Sequence, residues 1–319
     1  MSSDRRFCGV ATAALVLAAC GTPDAETPAS ARDGCSPLLA ENVAAPDQLI
    51  VAGDELYFID QTSTLFRAPS CAGKPKRANA GAVATLGGTA LGGGWLVESN
   101  EKGTGLRQLG SDQWAPVMGG PTTHVLMAIN EEFVVWVQPG TEGPTPIWAA
   151  PRGGGPPWKV VESVTEVSAL TMDESSFYYA NTTSVMRSGL DLSSHVELLS
   201  RPGGVSALAV DDQALYIAFR AGGFKEGGSI TKLPKSGGLL LTLASEKNEI
   251  IDAEKVGDAI FYATRGDKGQ GAVHEIPSRG GIGKALGPTQ DPCAITADAK
   301  AVFVASCTQG RGSIRRIPR

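Results

Sequence analysis

The fold of this chain is decided by the stretch VSALAVDDQALYIAFRAGGFKEGGSITKLPKSGG, residues 205–238. Together with the residues that follow, it holds four short runs rich in alternating apolar, β-branched and aromatic side chains, which is typical of β-strands. The runs are 207–210, 215–219, 230–233 and 239–244, and turn-forming Asp, Pro and Gly residues separate them. Four short antiparallel strands in about 40 residues make one blade of a β-propeller.

Weaker copies of this unit occur along almost the whole chain. Aligned on the second strand, their centres are Tyr57, Leu96, Val135, Tyr178, Tyr216, Phe261 and Phe303, at intervals of 39, 39, 43, 38, 45 and 42 residues. The third strands follow at Leu65, Leu106, Ile147, Val185, Ile230, Val273 and Ile314. Five of the seven third strands end in Pro, which donates no ladder hydrogen bond and therefore suits the end of a strand. The period predicts an all-β fold, a β-propeller of seven four-stranded blades.

Two alternatives stay open from the residues alone. The second copy, 82–118, is interrupted by glycines at 87–88 and 92–94, so a six-bladed ring is the alternative count. A β-sandwich with a coincidental period is the alternative fold.

The two ends of the repeat array complement each other. The last copy ends at Arg319 after its third strand, and the run SPLLAENV, 36–43, precedes the first copy. We expect 36–43 to supply the fourth strand of the last blade and close the ring, because this covers a sheet edge that would otherwise be open.

Length and charge limit the classes of function. The 319 residues fit one domain, because the length of a propeller is set by its blade number. The formal net charge of −5 does not give the basic footprint of a nucleic-acid-binding protein. We therefore expect a protein that does not bind nucleic acid. We also expect it to be a monomer.

Residues 1–19 have the pattern of an export signal. Arg5 and Arg6 precede an apolar run, 7–18, that is too short to span a bilayer. Residues 17–20, Leu-Ala-Ala-Cys, resemble a bacterial lipobox, and the resemblance implies that Cys20 is lipidated and becomes the first mature residue; an ordinary signal peptide is the alternative. Residues 20–34 are predicted to be a flexible tether to a propeller domain at 35–319. Gly21 is not acidic, which favours the outer membrane, and the lipid is the only predicted membrane contact.

The remaining four cysteines predict two disulfides, as expected in an oxidising compartment. Cys293 and Cys307 are equidistant from Lys300 in the first hairpin of the last copy, which predicts that they are direct cross-strand neighbours. Cys35 begins the closing strand and Cys71 lies in a turn of the first blade, so their bond would lock the ring. Metal binding is the alternative, although no Cys-x-x-Cys spacing is present.

The sequence contains none of the common nucleophile, phosphate-loop or zinc-hydrolase motifs. Glu166, Glu249 and Asp291 each lie twelve residues before a second-strand centre, and His124 lies one residue from the same register. The simpler interpretation, which we prefer, is that they are solvated loop residues and that the protein has no cofactor. The alternative is that they converge at the mouth of the central channel and bind a divalent cation such as Ca²⁺.

Other acidic and imidazole side chains have simpler interpretations. Aspartates recur in the hairpin between first and second strands, where Asp caps its own turn. They are Asp54, Asp173, Asp211, Asp212, Asp258 and Asp298. His195 and His274 are predicted to be exposed polar residues on the outer part of a blade.

The most variable segments join second to third strands, at 138–146, 220–228, 265–271 and 308–312. Variable loops on a rigid ring are where recognition usually occurs. They contribute Arg220, Lys225, Arg265, Lys268 and Arg311 to the face on which Glu166, Glu249 and Asp291 are expected. We expect an envelope protein or peptide to bind there.

The repeat resembles that of TolB-like and NHL-like bacterial β-propellers, through segments such as AVDDQALYIA, 209–218, followed by ITKLPKSGG, 230–238. The resemblance covers residues 36–319 and implies a binding or interaction scaffold in the cell envelope. The alternative is a metal-dependent hydrolase or lactonase with its site at the channel mouth. Gluconolactonase-type propellers use a Glu, Asn and Asp set around a channel metal, and that set cannot be matched position by position here.

Overall fold

The computed structural model describes most of the chain from Gly34 onward. The described residues are 34–62, 64–78, 89–92, 95–100, 103–108, 114–119, 126–137, 144–191, 194–200, 203–220, 227–308 and 311–319. The predicted export signal, Cys20, nearly all of the tether, His124 and Lys225 lie outside these residues. No helix among the described residues is long and apolar enough to cross a membrane.

The described residues form 28 strands and one 3-10 turn, Asp267–Gly269. The strands of the first half are β1 Leu38–Val43, β2 Pro46–Ala52, β3 Glu55–Asp60, β4 Leu65–Pro69, β5 Lys76–Arg77, β6 Thr89–Gly92, β7 Trp95–Asn100, β8 Gly103–Gln108, β9 Trp114–Gly119, β10 Leu126–Ile129, β11 Phe133–Val137, β12 Thr145–Pro151 and β13 Trp158–Val164. The second half contains β14 Ala169–Met172, β15 Ser176–Ala180, β16 Ser184–Gly189, β17 His195–Ser200, β18 Val205–Val210, β19 Ala214–Phe219, β20 Ser229–Pro234, β21 Leu241–Ser245, β22 Glu249–Val256, β23 Ala259–Arg265, β24 Gln270–Pro277, β25 Lys284–Gln290, β26 Pro292–Ala297, β27 Ala301–Thr308 and β28 Arg311–Pro318.

These strands form seven four-stranded antiparallel sheets, the blades of a propeller. Blade 1 is β2–β5, blade 2 is β6–β9, and blades 3 to 6 follow in the same way up to β25. Blade 7 has the order β1-β28-β27-β26. The first strands of consecutive blades contact one another around the whole ring, from β2 through β6 to β26 and back to β2. This confirms the seven-bladed prediction, including the glycine-rich second copy, and rules out the six-bladed count.

The prediction that the N-terminal run closes the ring is confirmed. β1 pairs with β28 in antiparallel register, with Leu38 opposite Arg315 and Val43 opposite Gly312. Leu39 of β1 joins a buried cluster that also contains side chains of blade 1 and blade 7. One strand therefore completes the last blade and fastens it to the first.

The second strands carry the core because each is covered on both faces by neighbouring blades. All six residues of β19 are buried, and β11, β15, β23 and β27 are nearly as enclosed. Buried apolar clusters join successive blades. A strand that is covered on both faces has apolar side chains on both faces, so its sequence is a continuous apolar run. The repeat is therefore clearest in the second strands.

The recurring aspartates are turn residues, as predicted. Asp211 Oδ1 accepts hydrogen bonds from the backbone N–H groups of Gln213 and Ala214, at 3.0 and 2.9 Å. Its other oxygen accepts from the Tyr216 hydroxyl at 2.8 Å and from the Lys255 ammonium of the next blade at 3.2 Å. Asp211 therefore caps its own hairpin and also links blade 5 to blade 6. The link between blades was not predicted.

The ring has two faces, called here the turn face and the loop face. The turn face carries the hairpin turns between first and second strands and the outer turns between third and fourth strands. The loop face carries the loops between second and third strands and the connections between blades.

Both predicted disulfides form. Cys35 is bonded to Cys71 on the turn face, across the junction of blades 7 and 1. Cys293 is bonded to Cys307 within blade 7. The predicted direct opposition of Cys293 and Cys307 is wrong, because a register shift follows the pair Pro292 and Ser306 and places Cys293 in a bulge. Two disulfides fit an exported protein.

Candidate functional site

An open cleft of about 720 Å³ lies on the turn face between blades 3 and 4. Its lining consists of Glu132, Phe133, Trp158, Glu174, Ser175, Ser176, Gly189, Leu190, Asp191 and Ser194. All of these residues come from hairpin or outer turns, or from strand ends beside them. The cleft therefore lies on the face opposite the variable loops where recognition was predicted.

The apolar part of the cleft is aromatic. Phe133 begins β11 and Trp158 begins β13, and their rings meet edge to face with centroids 5.9 Å apart. Trp158 follows an outer turn in which Gly154 and Gly155 adopt positive φ. That turn brings the chain back beside β12, so that Trp158 starts the fourth strand next to Phe133 of the second strand.

The polar part of the cleft is acidic. Glu132, Glu174 and Asp191 are exposed on its lining, and none of its ten lining residues is basic. Serine hydroxyls at 175, 176 and 194 supply neutral donors and acceptors. An aromatic surface beside carboxylates is a suitable environment for a cation, because the ring face attracts positive charge and carboxylates accept its hydrogen bonds.

Asn130 holds the two acidic turns together. Its Oδ1 accepts hydrogen bonds from the N–H groups of Glu132 and Phe133 at 2.9 and 2.7 Å. Its Nδ2 donates across the blade boundary to the carbonyl oxygens of Asp173 and Glu174, at 2.8 and 3.3 Å. The backbones of Glu132 and Glu174 are therefore fixed relative to each other before any partner binds.

The candidate metal ligands do not gather into a site among the described residues. No group of three or more His, Cys, Asp or Glu side chains that could hold a metal ion occurs in that part of the chain. Glu249 instead lies between two arginines on the loop face, 3.7 Å from Arg220 Nη1 and 3.2 Å from Arg265 Nη2. Asp291 accepts from the Thr308 hydroxyl at 3.2 Å.

Glu166 is an exposed loop residue with positive φ, and His124 lies outside the described residues. Binding of Ca²⁺ at these four positions stays a prediction. The expected proximity of Glu249 and Arg265 on one face is present, since they are directly opposite in β22 and β23.

A pair of carboxylates on the inner wall of blade 6 was not predicted from the sequence. Asp252 Oδ2 accepts from the Ile295 N–H at 3.0 Å, and Glu254 Oε2 accepts from the Ala297 N–H at 2.7 Å. β26 is the inner edge of its sheet, so its outward N–H groups have no strand partner. The two carboxylates cap that edge and join blade 6 to blade 7.

Both inner-wall carboxyl groups titrate above their ordinary range. Burial raises the pKa of Asp252 to about 6, against the opposing effect of the hydrogen bonds from Ile295 and Ala253. Burial likewise raises the pKa of Glu254 to about 7, and the neighbouring Asp252 contributes in the same direction. Strongly shifted carboxyls mark functional sites in many proteins, but here the edge-capping contacts give them a structural role.

The prediction that both histidines are exposed is half right. His195 is exposed on β17. His274 is half-buried, because its ring stacks on Tyr262 with centroids 4.9 Å apart. Burial in this position lowers the pKa of His274.

The cleft left a weak signal in the sequence. Glu132 and Glu174 occupy equivalent hairpins of neighbouring copies, and Trp158 follows a Gly-rich outer turn of the first of them. Alignment of the repeats places these residues on one face, but only the packing of blades 3 and 4 shows that they line a common cavity.

No family model matches this chain, and no curated protein matches it. Solved structures that resemble it share little sequence. A computationally designed protein, Ika8, is 11% identical with a TM-score of 0.61, over 88% of this chain and 98% of that protein. The extracellular domain of BT4673, a hybrid two-component system from B. thetaiotaomicron, is also 11% identical with a TM-score of 0.61, over 88% of this chain and 39% of that one.

A TolB protein from Agrobacterium tumefaciens is 13% identical with a TM-score of 0.53, over 77% of this chain and 95% of that protein. At such identities the likeness shows the fold alone. The chain is therefore a β-propeller whose structural neighbours include a TolB propeller, as the resemblance of its repeats implied.

Proposed function

We propose that this protein is an exported scaffold, attached to the bacterial envelope by a lipid on Cys20, that binds a basic segment of a partner protein in the cleft between blades 3 and 4. The cleft carries the proposal, because it joins an aromatic surface to three carboxylates on a rigid support. Its volume of about 720 Å³ is within the range of specific ligand sites.

The chemistry of the lining indicates what the partner must offer. An arginine or lysine side chain can stack on the Trp158 ring and direct its charged end to Glu132 or Glu174. A carboxylate or phosphate in the same place would be repelled. The serines of the lining can hydrogen-bond the backbone of an extended peptide.

A titration with short peptides of opposite charge tests this function. Fluorescently labelled tetra-arginine, tetra-lysine and tetra-glutamate are added to the purified protein, and binding is followed by fluorescence polarisation. We expect saturable binding of the two basic peptides, weakened by salt, and none of the acidic one. Trp158→Ala should weaken tetra-arginine binding by about 30-fold, as for a central aromatic contact.

The matched control is Trp95→Ala, a half-buried tryptophan of β7 in blade 2 that does not line the cleft. Equal loss in the two variants, or equal binding of all three peptides, would contradict the proposal.

A further inference from the structure

The chain that leads into β1 leaves the ring at the turn face. Cys35 is bonded to Cys71, which lies in the outer turn between β4 and β5 of blade 1. The Pro37 carbonyl accepts from the Arg316 N–H at 2.9 Å, near the end of β28 that meets the turn face. A lipid on Cys20 would therefore be connected to the turn face, at the junction of blades 7 and 1.

The outer turns beside that junction are basic. Lys74, Lys76 and Arg77 are exposed in blade 1, only a few residues from Cys71. Arg279 and Lys284 are exposed in the outer turn of blade 6. On the same face, Asp54 of blade 1 is paired with Lys300, Asp211 of blade 5 with Lys255, and Glu275 of blade 6 with Arg319. Asp258 is exposed in the hairpin turn of blade 6.

The outer turns of blades 5 and 6 present large aliphatic side chains to solvent. Leu239 in blade 5 is 92% exposed and Ile282 in blade 6 is 96% exposed. Isolated exposed aliphatic side chains among basic residues are typical of a surface that binds a bilayer. The aliphatic side chains insert into the headgroup region, and the basic side chains bind lipid phosphates.

We infer that the rim formed by Lys74, Lys76, Arg77, Leu239, Arg279, Ile282 and Lys284, called here the anchor-side rim, rests on an anionic lipid surface. The inference rests on the proposed export and anchoring of the chain. The 14 residues 21–34 span at most about 45 to 50 Å, which keeps the rim close to the bilayer. The cleft between blades 3 and 4 lies across the ring, so this contact tilts the propeller and lifts the cleft away from the lipid.

Vesicle sedimentation of a chain that cannot be lipidated isolates the contact. The mature chain from residue 20 with Cys20→Ser is mixed with phosphatidylcholine vesicles that contain either no or about 30% phosphatidylglycerol. We expect salt-sensitive partitioning onto the anionic vesicles only. Lys74→Ser/Lys76→Ser/Arg77→Ser should lower the partition coefficient by about 100-fold, at about fivefold for each lost cation. Leu239→Ser/Ile282→Ser should lower it by about tenfold.

Matched controls lie away from the rim. Val196→Ser removes an aliphatic side chain that is 39% exposed on β17, and Lys247→Ser removes an exposed cation on the loop face. Both should bind vesicles as the parent does. No partitioning of the parent, or equal losses in rim and control variants, would overturn the inference. Palmitate labelling of Cys20 in cells tests the anchoring separately, so failure of one proposal is distinguishable from failure of the other.

Discussion

Removal of the Cys35–Cys71 disulfide should show how strongly the ring depends on its closure. The bond joins residues 36 apart in sequence, across the junction of blades 7 and 1. Loop-closure entropy for about 36 residues is close to 13 cal/mol/K, or about 4 kcal/mol at 25 °C. Cys293–Cys307 joins residues only 14 apart within one hairpin, for which the same relation gives about 3 kcal/mol. Cys35→Ala/Cys71→Ala should therefore destabilise the protein by roughly 1 kcal/mol more than Cys293→Ala/Cys307→Ala.

Urea unfolding followed by tryptophan fluorescence measures both losses. The parent is unfolded with its disulfides intact and again after reduction, and the two double alanine variants are compared with it under oxidising conditions. The variants should still fold, because β1 remains hydrogen-bonded to β28. A loss below about 1 kcal/mol for Cys35→Ala/Cys71→Ala, or a larger loss for the hairpin pair, would refute the view that the seam between blades 7 and 1 limits stability.

Three further predictions concern the seams between blades. The pKa values of Asp252 and Glu254 are raised to about 6 and 7, so their contribution to stability should be complete below about pH 4 and disappear as the pH rises through 6 and 7. Asp252→Asn/Glu254→Gln should therefore make the melting temperature less dependent on pH across that range. The same pH dependence in the variant and the parent would contradict these raised pKa values. Gly269→Ala should lower the free energy of unfolding in urea by about 1 to 3 kcal/mol, because a Cβ there would overlap the Asp291 carboxylate. The control Gly257→Ala, also at positive φ but with no atom within 4 Å of the added Cβ, should lower it less. Equal losses in the two variants would exclude the overlap with Asp291 as the cause. Tyr216→Phe should lower the free energy of unfolding by about 1 to 2 kcal/mol, because the Tyr216 hydroxyl donates a hydrogen bond to Asp211, which links blades 5 and 6. An unaltered melting temperature would show that this hydrogen bond does not stabilise the protein.

The architecture was predictable because it repeats. Second strands such as β19 are covered on both faces, so both sides of each strand are apolar. Tyr216 and its six counterparts all lie on second strands. The closing strand was predictable from the same periodicity, since the last copy lacks a fourth strand. The bulge at Cys293 was not, because a one-residue register shift depends on how β26 packs against blades 6 and 1 rather than on local sequence.

The candidate site was less predictable because it depends on contacts between copies. Glu249 looked like a metal ligand by register, but Arg220 of the preceding blade neutralises it. Asp252 lies in a strand whose pattern gives no hint that its carboxyl caps an edge of the next blade. Trp158 and Glu174 belong to different repeats, and no local pattern indicates that they share one cleft.

Calorimetric titration of tetra-arginine into three proteins shows whether the cleft between blades 3 and 4 binds a basic segment. These are the parent, the cleft variant Glu132→Gln/Glu174→Gln, and the control Glu162→Gln/Glu197→Gln, which removes two exposed glutamates from β13 and β17, the outer strands of blades 3 and 4. The net charge change is the same in both variants. We expect one peptide bound for each parent molecule, an affinity about tenfold weaker in the cleft variant, and parent-like affinity in the control. Equal affinities in the two variants would contradict this expectation, since binding would then follow overall charge rather than the cleft.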